Sequence, residues 1–142
     1  MKVGTAGALG LGLLMLGCAE TRPAESHTFP VEPLVVVTSR SGELELTAWT
    51  APLQPPTRGV CSVKLAIEQV GSGTAVSGLE LEIVPEMPSM GHGTPTVPKA
   101  AETGAGTYLV TDVNLFMAGR WDLRITLSGA REDHATISVD VR

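Results

Sequence analysis

From Ser41 onward apolar and polar residues alternate with a period of two, the signature of strands with one face buried. Glu43-Leu44-Glu45-Leu46-Thr47-Ala48-Trp49 sets Leu44, Leu46 and Ala48 on one face. From Val60 to Val70, Cys61, Val63, Leu65 and Ile67 share a face against Ser62, Lys64, Ala66 and Glu68. Leu79, Leu81 and Ile83 alternate with Glu80 and Glu82 up to Pro85. Tyr108 to Leu115 follows, then Trp121, Leu123, Ile125 and Leu127, then Ala135, Ile137, Val139 and Val141. Gly71-Ser72-Gly73, Met117-Ala118-Gly119-Arg120 and Gly129-Ala130 are turns. Pro52, Pro55 and Pro56 make Ala51 to Gly59 a loop, because proline cannot donate to a ladder. No window carries a 3.6-residue apolar stripe of helical length. The pattern predicts an all-β, immunoglobulin-like two-sheet β-sandwich of about seven strands. Trp49 and Trp121 are expected to anchor its core.

The N-terminal segment is different. Lys2 followed by an apolar run from Val3 to Leu16 reads as an export signal over residues 1–17, too short for the roughly 20 residues of a spanning helix. Leu14-Met15-Leu16-Gly17-Cys18 resembles a bacterial lipobox with Met15 where leucine is usual, so Cys18 is expected to carry lipid and anchor the chain to a membrane. Residues 18–38, with Pro23, Pro30, Pro33 and a solvated His27, read as a tether. Leu34 to Val37 is either a first edge strand or the point where the tether lands. Residues 39–142 form the domain.

Charge removes some functions. Of 142 residues, 10 are Lys or Arg and 15 Asp or Glu, and export would remove Lys2. Such acidity argues against a nucleic-acid partner and against a polybasic membrane patch. With Cys18 acylated, Cys61 has no disulfide partner in its own chain; on an inward strand face it reads as a small buried hydrophobe. Ala19 after Cys18 points to the outer membrane, facing the periplasm, if the cell has two membranes.

One stretch carries candidate chemistry: Pro85-Glu86-Met87-Pro88-Ser89-Met90-Gly91-His92-Gly93. Its thioether and imidazole donors suit soft Cu(I) rather than hard cations, and it lacks the thiolates of structural zinc. Pro88 bends the chain, and Gly91 and Gly93 allow it to curl Met87, Met90 and His92 onto one centre. Met117 lies in a turn that could reach the same end and supply another sulfur, or else belongs to the core. A second reading has Met87 and Met90 plugging the open end of the sandwich, with His92 solvated. The residues alone leave both open.

Together with Gly106-Thr107-Tyr108 and Phe116-Met117-Ala118-Gly119-Arg120-Trp121-Asp122-Leu123, the stretch Met87 to Gly93 resembles the YtkA-like family of small exported bacterial domains related to FixH. That resemblance, over roughly Ser41 to Arg142, implies an immunoglobulin-like fold and a setting near copper handling or oxidase assembly.

Other groups offer less. His134 is expected on an outer face. Arg120, Asp122 and Arg124 read as a solvated face with cross-strand pairing. Glu80, Glu82 and Glu86 share a face but are too few oxygens for a hard cation. No nucleophile elbow, carboxylate pair or phosphate loop is present, so an enzyme is not expected. Two functions remain. One is a lipid-anchored envelope protein that binds Cu(I) and exchanges it with a copper exporter or oxidase-assembly protein. The other is a metal-free interaction module of an envelope complex.

Overall fold

A computed structural model describes residues 27–142; the export segment, Cys18 and the start of the expected tether lie outside the described residues. Nine strands follow in order: β1 Val35–Thr38, β2 Leu44–Ala51, β3 Gly59–Gln69, β4 Leu79–Met87, β5 His92–Gly93, β6 Lys99–Gly104, β7 Thr107–Leu115, β8 Gly119–Gly129 and β9 Asp133–Val141. They form two antiparallel sheets, β1-β2-β3-β7-β6 and β5-β4-β8-β9, with no helix among the described residues. The expected all-β sandwich is present. Leu34 to Val37 resolves as an edge strand: Val35 pairs with Ala48 and Thr38 with Glu45, so the sheet begins inside the stretch expected to be tether.

The alternation dictates the core. Leu44, Leu46, Ala48, Val63, Leu65 and Ile67 from one sheet face Ile83, Trp121, Leu123, Ile125, Ile137 and Val139 from the other, all essentially buried. Burying each large apolar side chain contributes about 1.5–3 kcal/mol. Tyr108 closes one margin of this core. Its hydroxyl donates to the Val76 carbonyl at 2.8 Å and accepts from the Leu79 amide at 3.2 Å, tying the connection between the sheets to β7.

Two expectations need correction. Trp121 is fully buried, but Trp49 is not a core residue: it lies on the outer face of β2, half-buried, with the Lys64 ammonium 4.1 Å from its ring centroid. Leu44, Leu46 and Ala48 point inward, and period two necessarily turns Trp49 outward. Its indole donates to the Val31 carbonyl at 3.3 Å, so it holds the N-terminal segment against the sheet. The count of about seven strands also omitted β5 and β6.

Strand direction gathers several connections at one end, called here the loop end. β2 finishes at Ala51 opposite Ser62, β3 starts at Gly59 opposite Leu115, β8 starts at Gly119 opposite Val141, and β4 finishes at Met87 opposite His92. The Ala51–Gly59 loop, the Leu115–Gly119 turn and the Met87–His92 turn therefore lie together.

Candidate metal centre

β4 runs further than its proline implies. Pro85 pairs with Leu123 and Glu86 with Asp122, so the strand passes through Pro85 and ends at Met87. Proline is tolerated because β4 has no ladder partner on its other side until Glu86 meets Gly93. Met87 was expected in a loop; it is instead the last strand residue and 4% exposed, within the core cluster. Its Cε sits where a side chain on Gly119 would be: a Cβ there would come within 2.7 Å of it.

A tight turn reverses the chain. The Met90 and Gly91 amides both donate to the Met87 carbonyl at 3.0 Å, and Gly91 has φ of +66°. His92 then stands directly across from Met87, and Gly93 across from Glu86. Gly93 must lack a side chain, because the Pro85 carbonyl oxygen fills the place of its Cβ. Opposed residues of an antiparallel pair share a face, so the imidazole and the Met87 thioether belong to one side of the hairpin.

The imidazole is exposed and lies nearly parallel to the Phe116 ring, with centroids 6.4 Å apart and 7° between planes. Phe116 meets Trp121 edge-on, at 5.4 Å and 74°. The Trp121 indole in turn donates to the Met117 carbonyl at 2.9 Å. Met117 is half-buried against the core, while Met90 is 51% exposed on the turn. Met87, His92 and the turn carrying Met117 thus converge at the loop end. Met90 and His92 are exposed, whereas Met87 is buried and Met117 half-buried.

Sequence reasoning named Phe116 only as the start of a family motif and gave it no part in the site, where its ring joins His92 to Trp121. An aromatic residue directly before Met117 was the available signal.

The donor chemistry is selective. His92 Nδ1 lies 3.3 Å from the Gly93 carbonyl oxygen, and Nε2 has no partner among the described residues. Among the described residues no three His, Cys, Asp or Glu side chains stand together to hold a metal. A metal at this end would therefore rely on sulfur and one imidazole, a set that fits a soft monovalent ion and does not fit zinc or calcium.

The remaining candidates form no metal-ligating cluster of their own among the described residues. Glu86 pairs with Arg124 at 3.0 Å, while Glu80 and Glu82 are exposed. Asp122 accepts from Ser138 at 2.7 Å, and Ser138 accepts from Arg120 at 3.0 Å, giving the expected paired outer face. His134 is exposed. His27 is half-buried rather than solvated, and it lines a cavity of about 370 Å³ with Cys61 and Ser62 among others. Burial pushes the Cys61 thiol up to about 11, so it is protonated and unreactive at neutral pH.

Residues 43–126 match the sequence pattern of the family described as YtkA-like. The chain belongs to the YtkA-like family. The match spans β2 to the middle of β8 and includes both the Met87–Gly93 hairpin and the Phe116–Gly119 turn. No curated protein matches the chain. Among solved structures, it is similar to as-isolated FetP of uropathogenic E. coli strain F11, a protein expressed recombinantly in the periplasm of E. coli BL21(DE3). Identity is 11% and the TM-score 0.50, over 82% of this chain and 97% of FetP. At that identity the likeness establishes shared architecture.

Proposed function

We propose that this YtkA-like domain is the exported, lipid-anchored part of a copper-handling system, holding Cu(I) at its loop end and exchanging it with a membrane metalloprotein, exporter or oxidase-assembly protein. The observation that carries the reading is the pairing of His92 with Met87 across one hairpin, beside the turn that brings Met117. Met90 and His92 would meet the ion first, with Met87 and Met117 as further sulfur donors. The ion itself would be cargo. Thioether and neutral imidazole exchange readily, which suits transfer better than storage. Membership of the YtkA-like family and the likeness to a periplasmically expressed protein support the envelope setting. His92 carries no orienting carboxylate among its hydrogen bonds in the described residues, which favours a binding role for it.

A second reading draws on the packing of Met87. A thioether buried against Gly119 is also what a hydrophobic plug requires, leaving a metal-free module that docks within an envelope complex. A Cu(I) competition titration against a coloured chelator, under reducing conditions, separates the two. Met87→Leu keeps apolar volume and removes sulfur, a swap that cores accept at less than about 1.5 kcal/mol. Copper binding predicts that His92→Ala and Met87→Leu each weaken Cu(I) at least about tenfold, the equivalent of 1.4 kcal/mol, with the fold intact. Unchanged or negligible binding in parent and variants alike would refute the copper reading and leave the module.

A further inference from the structure

The loop end carries a second property, independent of any metal. Four large apolar side chains protrude there from three connections and one strand start: Leu53 at 54% exposure, Val60 at 62%, Met90 at 51% and Phe116 at 41%. At the opposite end, Val70 is the only exposed large apolar side chain among the described residues. Singly, exposed apolar residues are ordinary; gathered on one end they mark a surface for an apolar partner.

Two cations accompany them. Arg58 and Arg142 line a cleft of about 480 Å³ with Thr57, Gly59 and Phe116. The Arg58 amide donates to the Arg142 carbonyl at 3.1 Å, which holds the two backbones together. Neither guanidinium pairs with a carboxylate among the described residues; the ion pairs there are those of Lys99, Arg120, Arg124 and Arg131. On a chain of net charge −5, these two guanidinia form a local basic spot that shares its cleft with Phe116.

The N-terminal segment arrives at this end. His27 and Thr28 lie against Ala51, Pro52 and Val60, and Gln54 donates to the Glu32 carbonyl at 2.9 Å. Nine Cα-to-Cα steps separate Cys18 from His27 in the sequence, a span of at most about 30 Å. An anchor at Cys18 would keep the domain beside the bilayer, and the described chain begins at the loop end.

We propose that the loop end is a membrane-docking surface: Leu53, Val60, Met90 and Phe116 enter the interfacial region of a bilayer while Arg58 and Arg142 meet anionic phospholipid headgroups. The proposal rests on the reading of the N-terminal segment as the anchor. It turns the Met87–His92 hairpin toward the membrane, where an exchange partner would be embedded. Basic residues near an anionic surface attract it within roughly one Debye length, so the contact depends on salt.

The test uses the full anchored chain in phosphatidylglycerol–phosphatidylcholine vesicles that contain a shallow spin-labelled lipid as quencher. Phe116→Trp and Val70→Trp each add one indole at an exposed position, and the parent's emission is subtracted. Docking predicts that the added emission is lost for Phe116→Trp and retained for Val70→Trp. It also predicts that pure phosphatidylcholine, high salt or the Arg58→Ser/Arg142→Ser background restores the Phe116→Trp signal. Equal emission from both positions overturns the docking surface and leaves this end to a protein partner. Vesicle flotation reads the anchor separately: a chain that does not float lacks the premise, and docking falls with it. Circular dichroism on each variant verifies the fold.

Discussion

Gly119 and Met87 show how much one residue's absence of side chain can decide. Gly119 has φ of +124°, a backbone region that L residues avoid, and the Met87 Cε fills the space beside it. Gly119→Ala therefore meets backbone strain and a steric clash together and should destabilise the fold by about 2 kcal/mol. Met87→Ala alone should cost about 3 kcal/mol as a core cavity. In urea denaturation of the double variant, the cost of Gly119→Ala should shrink to its backbone part, because the clashing methyl is gone. Full additivity would show that the two do not touch. Sequence placed both residues in the right neighbourhood and misjudged Met87, because Pro85 was taken to end the strand. Proline only removes a donor, and β4 has no ladder partner to miss one there. Trp49 was legible and misread: the alternation that buried Ala48 already sent its neighbour outward.

Among the elements, the strands with strong alternation were plain in the sequence, and the poorly patterned ones were not. β6, Lys99–Gly104, is an edge strand whose side chains are almost all exposed, so it has no buried face to write a period into the sequence. β5 consists of two residues and exists because the turn after Met87 sends the chain back. Contacts between elements were equally silent. Asp133, at the start of β9, latches the β1–β2 connection: its carboxylate accepts from the Ser41 hydroxyl at 2.6 Å, the Ser41 amide at 3.2 Å and the His134 amide at 2.8 Å. Burial alone would raise its pKa, but these bonds, with the Ser39 hydroxyl, outweigh burial and hold it at about 2, against an ordinary 3.8. A depressed carboxylate stabilises the fold above its unfolded value, and that contribution disappears as pH falls from about 4 to about 2. Asp133→Asn should cost about 2 kcal/mol at neutral pH and flatten the stability profile between those limits in thermal melts recorded across pH. A profile as steep as the parent's would place the acid sensitivity elsewhere.

At the scale of the whole molecule, the two-sheet architecture was readable because each long strand repeats the same instruction, one face in and one face out. The convergence at the loop end was not, because it depends on which strands neighbour one another, and no local pattern records that. His92, Phe116 and Trp121 are brought together only by the β4–β8 pairing and the turn before it. Cys61, the one cysteine among the described residues, lies at this same end, 6% exposed in the lining of the cavity beside His27 and with a thiol held near 11. Because the thiol is held protonated, a small alkylating reagent at neutral pH should modify it slowly in the folded molecule and faster once the sandwich opens. The rate of Cys61 labelling becomes a clock for the excursions of the sandwich: slow in the native protein, accelerating with denaturant in step with unfolding. Fast labelling in native buffer would instead show that the thiol is reached through the cavity it shares with His27, without unfolding.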